Sequence, residues 1–308
     1  MSTSSRESLL PLGREVPFSE IELALGRSSL DDNKLAPERA LTATMVVVGP
    51  HERLAEAADA VEQLTDVGVR AILISDGTNP APAIRVLGHA VALEELRPEY
   101  LNNAVAALRL SSLPTVVWWR GGNPEMLEGV AHLADRMVFD AEEPEPVWAR
   151  AAGLAEHTAI SDLRWARLTR WRALMAQFFD IPAVREAAAS FNRLVIEGAD
   201  RFAAQLYGGW LSSSLHWSAD VAIELRPIPG GPAIQRIELG DGDQCLSLRL
   251  GPSGLCVEAS ARVTGHTETS RVVSLGDQRL TTLICEELRI RSRDLAFERA
   301  VAAARGIA

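Results

Sequence analysis

Four short apolar runs, "TATMVVVGP" (42–50), "VRAILISDG" (69–77), "TVVWWRGG" (115–122) and "DRMVFD" (135–140), alternate with segments of helical period. In "HERLAEAADAVEQLTDVG" (51–68), Leu54, Ala57, Ala58, Val61 and Leu64 share one face, and "PEYLNNAVAALRL" and "NPEMLEGVAHLAD" behave alike. Continuously apolar strands have no solvent side, so they require cover on both faces. Strands of this kind separated by helices predict a parallel sheet wrapped by helices. The alternation therefore sets a mostly parallel, Rossmann-like α/β domain over 41–150. "IRVLGHAVALEEL" (84–96) adds one more strand. Ahead of it, 1–40 reads as a separate segment: a short helix at "SEIELAL" and a polar loop, "GRSSLDDNKLAPERA".

Beyond residue 150 the period changes. "SFNRLVIEG", "SADVAIELRPI", "IQRIELGD", "QCLSLRL", "LCVEASARV" and "TETSRVVSL" alternate apolar and polar residues between Gly/Pro turns. That pattern predicts a mostly antiparallel, half-buried sheet in an α+β domain over 151–308. Its helices are "ADRFAAQLYGGWLSSSL" and a C-terminal "SRDLAFERAVAAARG", the latter capped by Ser292 with Asp294 in its first turn. A turn at Pro252-Ser253 sets Leu250 opposite Leu255, Arg249 opposite Cys256, and Cys245 opposite Ser260. Cys245 and Cys256 are then too far apart along the ladder for a disulfide.

With 308 residues, 47% of them hydrophobic, the chain can bury two cores. Its formal net charge of −10 opposes attachment to nucleic acid or an anionic membrane, and no apolar run approaches a membrane span. The opening "MSTSSRESLLPLGREVPF" carries no secretory apolar core, so the expected location is the cytoplasm.

Post-strand loops are where an open α/β sheet binds ligands. "VVVGPHER" offers Pro50, which has no N–H, and neither GxGxxG nor GxxxxGK[ST] occurs. The loop Arg120-Gly121-Gly122-Asn123 is the alternative: a cation, two glycines that admit close approach, and an Asn cap before Pro124. It reads either as an anion site of a sugar-phosphate or nucleotide-binding enzyme or as a plain strand-to-helix turn. Six histidines, at 51, 89, 132, 157, 216 and 266, show no metal-binding pair. Glu94-Glu95 and Glu142-Glu143 are adjacent and point apart, so they form no general acid/base pair. Cys245, Cys256 and Cys285 have no metal or redox spacing. No catalytic residue, cofactor or metal is indicated.

One block stands out: "SDLRWARLTRWRALMAQFFD" (161–180) holds two tryptophans and four arginines. As one continuous helix it would turn Arg164 and Arg167 into the apolar arc of Leu168, Trp171, Met175 and Phe178. A helix starting at Thr169 as N-cap avoids that cost, with "DLRWAR" as an extended lead-in free to present Arg164, Trp165 and Arg167. The block is either a core helix with a solvated rim or a docking surface.

With "TATMVVVG", "SLPTVVWWRG", "ADRMVFD", the 161–180 block and "TTLICEELRIRSRDLAFERAV" in hand, the sequence resembles the OpcA family, assembly and effector proteins of glucose-6-phosphate dehydrogenase. Relatives often read "WTRLTPWR" in the tryptophan block; Arg170 stands where their proline does. The resemblance implies a non-catalytic partner that binds the dehydrogenase and raises its activity or promotes its active assembly. Trp118, Trp119, Arg120, Arg164, Trp165, Arg167, Arg170 and Arg172 are the candidate partner-binding residues. In photosynthetic relatives the effect is linked to redox control; only Cys285 lies near the C-terminus here, so that property does not carry over.

Overall fold

The computed structural model describes residues 8–31, 40–64, 67–79, 82–217, 221–290 and 292–307. The chain divides into two compact units, 1–161 with 280–293, and 162–279 with 294–308. The division thus falls after Ser161 rather than at 150, and a late segment returns to the first unit.

In the first unit, β1 (Arg14–Glu15) and α1 (Ile21–Asp31) precede β2 (Ala43–Gly49), α2 (His51–Glu62) and β3 (Val69–Asn79). Then come β4 (Ala83–Leu87), β5 (Ala90–Leu96), α3 (Leu101–Leu108), β6 (Thr115–Trp119), α4 (Leu127–Ala131) and β7 (Arg136–Phe139). Helices α5 (Glu145–Trp148) and α6 (Ala151–Leu154) lead to β8 (Ala159–Asp162). The eight strands form one sheet in the order β1-β4-β5-β3-β2-β6-β7-β8. Its central pairs β5/β3, β3/β2, β2/β6 and β6/β7 are parallel. Every residue of β2 and β6 is buried, as cover on both faces demands.

The stretch 84–96 is a hairpin rather than one strand. β4 runs antiparallel to β5 across a turn at Gly88-His89, a two-residue break in the apolar run that is enough to reverse it. The segment 1–40 is not separate either: β1 pairs with β4. The expected polar loop over 26–40 is helical up to Asp31, while 32–39, like 1–7, lies outside the described residues.

The second unit holds α7 (Leu163–Arg167), α8 (Thr169–Phe178), α9 (Pro182–Ala187), β9 (Arg193–Gly198), α10 (Arg201–Leu215) and β10 (Ala222–Pro227). It continues with β11 (Arg236–Gly240), β12 (Cys245–Leu250), β13 (Cys256–Arg262) and β14 (Thr269–Ser274). After α11 (Leu280–Arg289), which belongs to the first unit, α12 (Leu295–Ala304) closes it. The sheet order is β10-β9-β11-β12-β13-β14. All pairs are antiparallel except β9/β10, which are joined through α10 and therefore return in the same direction. Leu194, Ile196, Ile237, Leu239, Leu246 and Leu248 form the buried face, against which α8 and α10 pack.

Register between β12 and β13 differs from expectation by two residues: Leu250 faces Val257, Arg249 faces Glu258 and Cys245 faces Arg262. Gly254, at φ +71°, closes a four-residue turn onto Gly251, and Gly251 N–H donates to the carbonyl of Cys256. Leu255 is thereby left in the turn and unpaired with β12, an arrangement that a glycine accommodates at little cost. The C-terminal helix is also capped differently. Asp294, not Ser292, accepts from Ala296 and Phe297 N–H, both at 3.0 Å.

Candidate functional site

Strand order reverses around β2, flanked by β3 and β6, and ligands of open α/β sheets bind outside the carboxyl ends of strands at such a point. A crevice of about 280 Å³ lies there, lined by Pro50, Arg53, Trp119, Arg120, Gly121 and Gly122 with Glu142 and Glu143 at its side. Asn123 caps the following 3-10 turn by accepting from Glu125 N–H at 3.0 Å.

Arg120 fills the wall of this crevice from inside. Its Nη1 donates to the Arg53 carbonyl at 2.7 Å and its Nη2 to Glu56 at 2.6 Å. Its Nε lies 2.9 Å from Asp140 Oδ2, an ion pair off the N–H axis. Arg53 Nη1 donates back to the Arg120 carbonyl at 2.8 Å, and its guanidinium sits 3.6 Å from Asp140 and 3.7 Å from Glu142. With the guanidinium almost wholly buried and its charge already met by Glu56 and Asp140, an incoming anion would have to compete with two carboxylates for it. Asp76 Oδ2 would stand 2.7 Å from a Cβ added to Gly122, whose φ of +116° already favours glycine. Burial pushes the Asp76 carboxyl up from its ordinary value. A phosphate there would face carboxylates, so the Arg120-Gly121-Gly122-Asn123 loop is a braced turn and not an anion cradle.

Trp118 and Trp119 alternate to opposite faces of β6 and are both buried; the Arg120 guanidinium covers the Trp118 ring at 4.9 Å. These three residues pack the first unit and present nothing to a partner. The reason is positional: a strand at the centre of the sheet buries every side chain it carries.

The 161–180 block also departs from its reading. "DLRWAR" is helical: Asp162 caps α7 by accepting from Arg164 N–H at 2.8 Å. Thr169 is the first residue of α8 but not its cap, since Leu168 in helical conformation links α7 to α8. Trp171 and Phe178 face inward. The arginine conflict is resolved by this break and by pairing. Arg164 Nε lies 3.1 Å from Asp200, and its guanidinium stands 5.4 Å from the Phe202 ring centre. Asp200 in turn caps α10, accepting from Phe202 and Ala203 N–H. Trp165 is buried, stacks at 5.7 Å on Phe297 and donates its indole N–H to Asp294 at 2.7 Å. Two adjacent residues of α7 thus hold the N-cap aspartates of α10 and α12.

Arg172 lies over the Trp165 ring at 3.3 Å and donates to the Trp165 carbonyl at 3.2 Å. Burial lowers its guanidinium to about 10, against the opposing pull of Asp294 and Tyr207. Arg164, Trp165 and Arg172 are therefore brought together as internal structure. Arg167 is half-exposed and Arg170 exposed. The capping aspartates were legible as Asp before helical runs in "GADRFAAQ" and "SRDLAFER"; their second contacts were not.

His132 and His157, distant in sequence, meet with ring centres 4.2 Å apart. Among the described residues no group of three or more His, Cys, Asp or Glu is placed to hold a metal ion, and no helix is long and apolar enough to cross a membrane.

Residues 158–301 match the OpcA family model described as the C-terminal domain of a glucose-6-phosphate dehydrogenase subunit. Over that stretch, just under half of its length, the chain is similar to the OpcA family. A Nostoc punctiforme protein described as a candidate OxPP cycle protein OpcA is 28% identical over 214 residues, 66% of this chain and 44% of its own length. Its Synechocystis counterpart is 32% identical over 130 residues, 39% of this chain and 27% of its own length. The chain spans less than half the length of those curated relatives. In fold it resembles the aldose-aldose oxidoreductase of Caulobacter crescentus, with a TM-score of 0.51 and 10% identity over 86% of this chain and 95% of that one. The likeness is one of architecture, a Rossmann-like unit followed by a mostly antiparallel sheet.

Proposed function

We propose that this chain is an OpcA-type, cytoplasmic, non-catalytic partner of glucose-6-phosphate dehydrogenase that binds the enzyme and promotes its active assembly or activates it. The observation that carries this reading is the match of 158–301 to a family described by its association with that dehydrogenase. The switch-point crevice supports it: the cation there is bound by Glu56, Asp140 and a backbone carbonyl, and Glu142 and Glu143 are among the lining residues. A nucleotide or sugar phosphate would have to displace those partners, at a cost that a buried charge makes large.

The test is to mix the purified chain with dehydrogenase from the same cell, measure co-elution, and compare kcat/KM with and without it. Co-elution with raised activity is the expected result. NADP reduction by the isolated chain, lost on Arg120→Ala, would establish the enzyme reading in its place.

A further inference from the structure

The six-stranded sheet of the second unit has one apolar face under helices, and a second face on which, among the described residues, charged and polar side chains dominate. On that second face charges lie in cross-strand rows. Arg226 pairs with Glu197 and Glu224 at 3.1 and 2.7 Å, Arg193 with Glu224 at 2.6 Å, and Arg236 with Glu238. These pairs occupy β9, β10 and β11. On β12 and β13 the balance changes: Arg249 and Arg262 are exposed and enter no ion pair among the described residues. Glu258, opposite Arg249 in register, accepts from Ser270 at 3.3 Å instead.

Between the two arginines runs a row of short side chains, Ser247 opposite Ser260 and Ser260 opposite Ser270. Beside it on the edge strand Val272 is 69% exposed. Arg249 is four residues along β12 from Cys245, which faces Arg262, so the two cations stand about 14 Å apart across a flat floor.

We propose that this open face over β12, β13 and β14 is the surface on which the chain receives its protein partner, through carboxylates that meet Arg249 and Arg262. The proposal rests on the dehydrogenase reading above and names its docking site. Charge decides the kind of occupant. The chain as a whole carries −10, yet on this face the charges outside ion pairs among the described residues are two arginines against the single carboxylate of Glu258, and complementary fields speed encounter and fix register. A second copy fits poorly, since isologous contact would bring like unpaired cations into one interface. The short serine row lets a partner backbone approach closely, and Val272 supplies an apolar rim.

The experiment measures binding of the full chain to purified dehydrogenase for the unmodified protein, for Arg249→Glu with Arg262→Glu, and for Arg170→Glu on α8 as a cation off the face. Thermal melting accompanies each, with Arg249→Gln/Arg262→Gln replacing the reversal should it melt early. The expected result is a Kd raised at least about tenfold by the double variant at unchanged melting temperature, steeply salt-dependent binding for the unmodified chain, and no effect of Arg170→Glu. Equal binding by the double variant, or loss caused by Arg170→Glu instead, overturns the docking site and leaves the partner reading standing. Absence of binding by the unmodified chain overturns both. A dimer of this chain that the double variant dissociates assigns the face to a second copy and overturns the proposal.

Discussion

Arg53 and Arg120 donate to each other's backbone carbonyl, at 2.8 and 2.7 Å, with Asp140 beside both guanidinium groups. This reciprocal clasp joins the first turn of α2 to the end of β6 at the point of the sheet where related architectures place a ligand. It makes the crevice a structural joint.

Removing Arg120 should therefore act on stability first. Arg120→Met leaves the buried Asp140 with only Arg53, at 3.6 Å, as a cation beside it and is expected to cost about 3 kcal/mol in urea unfolding. Arg120→Lys should recover only part of that loss, because a single ammonium cannot serve the carbonyl, Glu56 and Asp140 together. Retention of full stability by Arg120→Met would contradict the clasp.

Asp76, beside Gly122, carries a pH signature of its own. Burial raises its folded-state pKa, so the ionised carboxylate weakens the fold at neutral pH. The penalty fades as pH falls through that raised value and is gone below the unfolded-state value near 3.8. Asp76→Asn should then raise the urea midpoint at pH 7, with the difference shrinking on acidification. A stabilisation that persisted unchanged at acid pH would assign the effect to something other than the charge.

Glu287 anchors α11 to the first unit. It accepts from Arg136 Nε and Nη2 at 2.8 and 2.6 Å and from Ser161 at 2.7 Å, all three residues being buried. Glu287→Ala strands the Arg136 guanidinium and is expected to cost about 3–5 kcal/mol, read by chemical denaturation. Loss confined to a few tenths would mean that water replaces the carboxylate.

The tryptophan block separates staple from surface. Trp165→Phe keeps the ring against Phe297 but abolishes the bond to Asp294, at a cost of about 2 kcal/mol. Phe178→Ala, a core truncation, should cost about 3–5 kcal/mol. Arg167→Ala, at a half-exposed site, should stay within about 0.5 kcal/mol. Denaturation curves of the three variants decide whether the block is scaffold, as the caps of α10 and α12 indicate.

Legibility in the sequence followed the range of the interactions involved. "TATMVVVG" and "TVVWW" are strands of a parallel sheet in any context, because side chains apolar on both faces exclude water from both. The alternation after 190 likewise dictates half-buried strands, since a period of two puts one polar face outward. The similarity to the OpcA family was also legible, carried by the tryptophan block and the C-terminal run. The role of that block was not. Trp165 and Arg164 look like a cationic-aromatic surface until Asp294 and Asp200, far away in sequence, are brought to them. The same holds for Trp118, Trp119 and Arg120, whose burial depends on β6 being central, and for "TTLICEELRIRSRDLAFERAV", one apparent motif whose halves serve different units. The turn that Gly254 closes moved the β12/β13 register two residues from the one expected of a turn at Pro252-Ser253. Periodicity reports what each segment must hide from water; which charge meets which carboxylate is set by long-range pairing, and no local pattern encodes it.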